Sequence, residues 1–322
     1  MQDIGTVCQI WRYPVKSMAG ELVEALDVGV RGLRGDRLWA VRDEQKGTLT
    51  NGKKLPALML LRARLCSEPP LDADPADVPA VIISFPDDTE VASDDPDVHQ
   101  RISRFVGRSV TLRSLRPASD TEHYRAAKPT RSALRSEFAI EPGQPLPDFS
   151  MLPLSVLAEL GRFSSPRGTH FDAYTLHMVC TATLAALRDA APNVDFDARR
   201  FRPNLVLDTT APGVRDPSWC GGTLRAGSLV TRVEVRTVRC SMVTRPQPGV
   251  GADPAVLKEI LARADRCLGV YATVTSPGRV RVGDRVELEP PRVTALSRAL
   301  DSGAKRLKSL ALRAVAKGIP ER

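Results

Sequence analysis

The chain predicts a mainly β protein with some α-helix, arranged as two β-domains followed by a basic amphipathic tail, and three observations predict it. Apolar residues alternate in period two through the first third. A second set of strand-like runs recurs after residue 176. From Pro291 onward the spacing changes to threes and fours. The chain has 322 residues, 42% of them apolar and 26% charged, a balance that suits packed domains and excludes disordered, collagen-like or disulfide-scaffold classes. No apolar run approaches the roughly 20 residues a bilayer span needs. Met1-Gln2-Asp3-Ile4 lacks the basic start and apolar core of a secretory signal, so the body is expected to be cytoplasmic.

In the first domain, residues 1–115, Leu22, Glu24, Leu26, Val28 and Val30 alternate. Strand-like runs follow at Leu38 to Arg42, Leu58 to Leu65 and Val81 to Phe85, parted by Gly, Pro and Asp. This pattern reads as a barrel-like sheet. A short helix comes next: Asp95 caps it, Pro96 suits its first turn, Val98, Ile102 and Phe105 share a face, and Gly107 stops it. Val110 to Leu115 reads as a closing strand.

Residues 116–150 lose periodicity and read as a connection between domains and a site-covering loop. The second domain spans 151–290. Leu176 to Cys180 is a strand feeding a helix that Thr181 caps and Pro192 ends. Phe201 to Asp208, Leu224, Val230 to Val238 and Val270 to Leu288 supply further strands, the last two turning at Ser276-Pro277-Gly278. Asp253-Pro254 opens a second helix carrying Leu257, Ile260 and Leu261. In the tail, 291–322, Val293, Leu296, Leu300, Gly303, Leu307, Leu310 and Ala314 line one face of a basic helix. Such a helix suits an anionic membrane surface, an acidic partner, a second copy, or packing on its own barrel.

The net charge of +8 lies mostly in that tail, which leaves the body without a nucleic-acid footprint. The six cysteines show no CxxC or finger spacing, so they read as free thiols rather than zinc or iron–sulfur ligands. Three places carry candidate chemistry. Tyr13-Pro14-Val15-Lys16-Ser17 and Gly35-Asp36-Arg37 offer an ammonium, a hydroxyl, N–H groups and a guanidinium to a phosphate; solvated loop cations are the bland reading. Arg199-Arg200-Phe201-Arg202-Pro203-Asn204 suits an anionic ligand with a polar heterocycle, or equally a surface cluster with Asp195 and Asp197. Arg239-Cys240 ends a strand with a thiol that a neighbouring cation favours as thiolate, or with a small buried residue.

These pieces, in this order, resemble the molybdenum-cofactor sulfurase C-terminal (MOSC) proteins with their N-terminal β-barrel domain. YPVKS at 13–17, GLRGDRLW at 32–39, RRFRPNLV at 199–206, the Trp219 loop, Arg239-Cys240 and the strands near 269–288 carry the resemblance. It implies a molybdenum cofactor (Mo-molybdopterin) between two barrels, Cys240 as catalytic residue and molybdenum ligand, and Lys16, Ser17, Arg37, Thr181, Thr183, Arg200, Arg202 and Asn204 as cofactor-binding residues. It further implies reduction of small N-hydroxylated or N-oxide substrates by oxygen-atom transfer. The electrons come from a separate flavin or iron–sulfur donor, since no GxGxxG fingerprint is evident and no cysteine follows Cys267. Rival readings are a sulfur-transfer protein using Cys240, a cofactor carrier, or an enzyme of specialised metabolism using the same pocket. Thr50-Asn51-Gly52-Lys53-Lys54 stands where many relatives have a Thr-x-Arg-Gln-like segment, leaving Lys53 and Lys54 as substrate-side cations. Val238 replaces a serine found two positions before the cysteine in some relatives.

Overall fold

A computed structural model of the chain describes all residues except 142, 143, 145, 210, 212, 214, 215, 292–306, 313–317 and 322. The expected tail helix therefore lies mostly outside the described residues, although 307–312 are helical.

The first part of the chain forms β1 (Gln2–Arg12), β2 (Glu21–Val23), β3 (Ala25–Gly29), β4 (Gly32–Leu33), β5 (Trp39–Asp43), β6 (Thr48–Leu49), β7 (Arg62–Leu65), β8 (Val81–Ser84), β9 (Glu90–Ala92), α1 (Val98–Val106) and β10 (Val110–Ser114). Two three-stranded sheets, β10-β5-β6 and β7-β8-β9, enclose a core of Val41, Leu61, Ile83, Val110 and Leu112 that α1 closes with Val98, Ile102 and Val106. That helix starts later than Asp95: Asp95 accepts the amide of Asp97, and Val98 is the first α-helical residue. Gly107 ends it in the left-handed conformation, as its position suggests. Residues 58–60 of the expected strand Leu58 to Leu65 belong instead to a 3₁₀ turn over Pro56–Leu60, whose first turn Pro56 favours.

Residues 116–150, read as a connection and site-covering loop, contain regular structure. They form α2 (Thr121–Tyr124) and α3 (Arg131–Phe138), capped by the side chains of Asp120 and Thr130. Beyond them lie α4 (Leu154–Arg162), β11 (Leu176–Cys180), α5 (Thr181–Ala190), β12 (Leu205–Thr209), β13 (Thr223–Ala226), β14 (Leu229–Val238), α6 (Ala255–Ala264), β15 (Cys267–Ser276), β16 (Gly278–Arg281) and β17 (Arg285–Glu289).

Seven strands close a barrel in the order β1-β12-β11-β15-β14-β13-β17, with β17 returning to β1. The first strand of the chain thus belongs to the barrel built otherwise from its last third. Val7 and Ile10 of β1 point into a core shared with Met178, Leu207, Val233 and Val270. β1 bends to reach both neighbours through register shifts between Asp3 and Gly5 and between Val7 and Gln9. Gly5 is required there, since a Cβ would lie 1.8 Å from the Asp208 carbonyl oxygen. The parallel pair of β11 with β12 needs a crossover, and α5 supplies it.

Three expectations are corrected here. The N-cap of α5 is Cys180, whose sulfur accepts the Thr183 amide, and Thr181 is the first helical residue. Phe201 to Asn204 is not strand, because a 3₁₀ turn over 198–201 and a left-handed Arg202 precede β12. The turn at Ser276-Pro277-Gly278 exists, but β16 pairs with β3 instead of folding back on β15, whose two edges β11 and β14 already occupy. On α6, Val256, Leu257 and Ile260 are buried while Leu261 faces outward.

Ile10 is fully buried where β1 closes the barrel. Ile10→Ala is expected to destabilise the chain by about 2–5 kcal/mol in urea unfolding. A strand merely lying on the barrel surface would lose less than about 1 kcal/mol.

Candidate functional site

The end of β1 runs into Tyr13-Pro14, a sharp turn that aims Lys16 and Ser17 between the two domains. Its backbone interlocks with residues 36–39: the Lys16 amide donates to Trp39 O, the Trp39 amide to Pro14 O and the Arg37 amide to Tyr13 O. Asp36 completes the junction, taking the Tyr13 amide at 2.7 Å on Oδ1 and the Asn204 side-chain amide at 3.0 Å on Oδ2. Ser17 (φ 71°), Arg37 (φ 53°) and Arg202 (φ 53°) are all left-handed without being glycine. Such backbone costs on the order of 1 kcal/mol or more per residue and concentrates at functional sites.

One cavity brings together Lys16, Ser17, Arg37, Arg200, Arg202, Asn204 and Cys240, together with Asp172, His177, Arg239 and Tyr271. Lys16 Nζ donates to His170 O at 2.8 Å and to Asp172 Oδ1 at 2.7 Å. Arg37 pairs with Asp36 and lies over the rings of Tyr13 and Phe171. Arg202 Nη1 donates to Met18 O at 2.7 Å, and its guanidinium lies 4.3 Å from the centre of the Tyr13 ring. Arg239 Nη2 donates to Phe201 O at 2.7 Å, and Nη1 faces His177 Nε2 at 3.3 Å. Cys240, half-buried, ends β14 and opens a 3₁₀ turn over Ser241–Thr244.

Charge pairing divides these cations. Lys16, Arg37 and Arg200 each have a carboxylate, from Asp172, Asp36 and Asp195. Among the described residues, no carboxylate lies within ion-pair distance of Arg202 or Arg239. Both are buried, and Arg202 Nη2 and Arg239 Nε have no hydrogen-bond partner. Burial pulls the Arg202 guanidinium down to about 10 and lowers Arg239 as well. For Asp172, burial favours the neutral acid, but Lys16, Lys53 and Arg37 outweigh it and hold the carboxylate below its usual range. Burial and Arg239 together hold His177 well below its ordinary value, so the ring is neutral.

The other sequence-derived candidates are placed differently. Arg200 lines the cavity, yet its guanidinium is committed to Asp195 and to Val243 O. Asn204 is spent on Asp36, Trp11 O and the His177 amide. Thr181 and Thr183 do not line the cavity: Thr181 donates to Asp208, while Thr183 and the Cys180 thiol converge on the buried carboxylate of Asp216. The chain's own Asp216 thus sits at the α5 N-terminus. Trp219 is buried in the barrel core. Asp172 carries no mark in the sequence, His177 reads there as a surface or core residue, and Tyr271 lies in a strand that carries the family resemblance without a role being assigned to it. Arg239 was marked only for its effect on Cys240. None of the cysteines is in a disulfide, and no group of three or more His, Cys, Asp or Glu among the described residues is arranged to hold a metal. No described helix is long and apolar enough to cross a membrane.

The family model of the MOSC N-terminal beta barrel domain matches residues 4–110, and that of the MOSC domain matches residues 166–287. The chain belongs to the MOSC-domain proteins that carry this N-terminal barrel. Among curated proteins it is similar to mitochondrial amidoxime-reducing component 1 of Homo sapiens, 26% identical over 308 residues, covering 89% of this chain and 84% of the relative. The Mus musculus protein of the same name is 23% identical over 318 residues, covering 89% and 83%. The crystal structure of the YUAD protein from Bacillus subtilis aligns with 89% of this chain and 97% of its own, at 11% identity and a TM-score of 0.39.

Behind Lys16, His123 Nε2 and His170 Nε2 share a hydrogen bond of 3.1 Å, both rings being buried. Desolvation lowers His123 to about 4 and His170 well below its ordinary value. Between about pH 4 and 6.5 the unfolded chain binds more protons than the folded one, so stability falls as pH falls through that window. In urea unfolding at pH 7 and 4.5, His123→Gln is expected to shrink the acid-induced loss by about 1 kcal/mol or more. An unchanged loss would mean that the pair does not govern acid sensitivity.

Proposed function

We propose that the cavity holds a molybdenum–pterin cofactor and that the chain is a molybdenum-dependent oxidoreductase acting on N-hydroxylated or N-oxide compounds. In this reading its electrons arrive from a separate flavin or iron–sulfur protein. The observation that carries the proposal is the pair of buried, carboxylate-free guanidinium groups, Arg202 and Arg239, with unpartnered N–H donors on a cavity that ends at Cys240. Buried cations are tolerated when an anion compensates them, and a phosphate-bearing ligand supplies that anion. The names of the similar proteins support the same reading.

When bound, the molybdenum–pterin group would supply the two electrons that reduce the substrate and an acceptor for its oxygen, the electrons being replenished by the separate donor protein. Around it the chain's own residues bind and orient. Lys16 uses two of its three protons on His170 O and Asp172, which leaves one for a phosphate oxygen. Arg202 Nη2 and Arg239 Nε are the remaining open donors, and Thr237 Oγ1 on the cavity wall is also unpartnered. Cys240 offers the thiolate ligand from a strand end fixed by the β14–β15 ladder. The aromatic faces of Tyr271 and Phe171 limit water in the cavity.

Purified protein from a host that makes the cofactor is expected to contain molybdenum and pterin near one per chain. Arg202→Leu and Arg239→Leu should each lower pterin retention by about tenfold or more, since each removes a charge-assisted contact. Cys240→Ala should keep pterin while changing the metal-site spectrum. Wild type that reproducibly carries neither metal nor pterin overturns the reading and returns Cys240 to consideration as a sulfur acceptor.

A further inference from the structure

Helix α3 lies over the Cys240 side of the cavity and is held there weakly from within. None of its residues is buried. At its start the Arg131 and Ser132 amides donate to the carbonyls of Pro320 and Glu321, near the end of the chain. At its other end Arg266 donates to Phe138 O at 2.6 Å, and Ala139 leaves the helix in a left-handed conformation. Arg135 also pairs with Glu321 at 3.4 Å and the Phe138 ring meets Phe149 edge-on at 5.5 Å between centroids, and a further tether toward the cavity is electrostatic. Glu137 Oε2 meets Lys53 Nζ at 3.1 Å and Glu137 Oε1 meets Lys54 Nζ at 3.6 Å.

Those two lysines directly follow Gly52, which touches two residues of the cavity wall, Ser17 and Met242. The Gly52 amide donates to Ser17 Oγ at 2.9 Å, and a Cβ on Gly52 would come within 3.0 Å of Met242 Cε, two residues beyond Cys240. Lys53 also lies 5.5 Å from the centre of the Phe138 ring. A carboxylate of the chain, carried on a surface helix, therefore already occupies a two-lysine anion site next to Ser17 and Met242.

We propose that Lys53 and Lys54 form a carboxylate-binding subsite at the cavity rim, that Glu137 fills it in the resting chain, and that substrates bearing a carboxylate displace Glu137 and lift α3. The proposal rests on the reductase reading for the word substrate; the anion subsite itself does not need the cofactor. Exchange of one carboxylate for another keeps the local charge constant, so displacement costs little beyond the loss of the helix contacts. The lysines then select N-oxygenated compounds with an acidic group over neutral ones.

Two measurements on the full chain test it. The first is amide hydrogen exchange over 131–138 with terephthalate, which carries carboxylates but no reducible group, and with neutral benzamide. Terephthalate is expected to speed exchange of the segment saturably and benzamide to leave it unchanged. Glu137→Gln should exchange fast without ligand and bind terephthalate about tenfold more tightly. Lys53→Met with Lys54→Met should lose the response. The second measurement compares 4-carboxybenzamidoxime with benzamidoxime in the cofactor-loaded, chemically reduced enzyme, where kcat/KM should favour the acid about tenfold and the double lysine variant should erase the preference. No terephthalate effect on 131–138, or an effect that survives loss of both lysines, overturns the subsite. A terephthalate response without turnover of either amidoxime supports the subsite and counts against the reductase reading alone.

Discussion

The Asp36 carboxylate, wholly shielded from solvent, is the point on which the rest of the site depends. One oxygen takes the Tyr13 amide at the end of β1, and the other takes the Asn204 side chain that leads into β12 and the Arg37 guanidinium. Three segments from distant parts of the sequence are thereby held in one orientation. Replacing such a buried anion leaves three donors without a partner, which is more costly than the net worth of the bonds it makes. Its function is positional: the left-handed backbone of Arg37 and Arg202 persists because the surrounding bonds over-determine it.

Barrel closure explains why those segments meet. β1 pairs with β12 on one side and β17 on the other, so the turn that follows it must emerge at the rim of the MOSC barrel. The N-terminal domain grows from that turn and returns through the bridge between Val15 and Trp39. The cavity is consequently a feature of the chain path: one wall is the strand-end turn bearing Lys16 and Ser17, the other the start of β11 bearing His177, the middle of β15 bearing Tyr271 and the turn after β14 bearing Cys240.

Electrostatics then sorts the site into two zones. Inside, most cations are paired and two guanidinium groups are left over, a charge balance that the proposed anionic cofactor would complete. At the rim the lysine pair is neutralised by a residue of the chain itself. In the proposed reading, the contrast separates a pocket filled by the cofactor from a site whose anion can be exchanged. It is set by burial, since the inner guanidinium groups are nearly sealed while the lysines keep a fifth to a third of their side-chain surface exposed.

By itself the sequence determined the mostly β class, the strands with period-two alternation and the residue types at Lys16-Ser17, Arg37, Arg202-Pro203-Asn204 and Cys240, because alternation and strand-end polar clusters are local signals. The short helices α2 and α3 escaped it, since α3 buries none of its residues and so leaves no apolar period, only the caps Asp120 and Thr130. Tertiary structure alone decided that β1 closes the second barrel and that β16 joins β3. It also decided that Thr181 and Thr183 turn to Asp208 and Asp216, that Arg200 is committed elsewhere, and that Asp172, His177 and Arg239 join the cavity. Arg200 finds its carboxylate locally, in Asp195 five residues before it. For the others, the partner lies more than twenty residues away in the chain, and that pairing exists only once the barrel has closed.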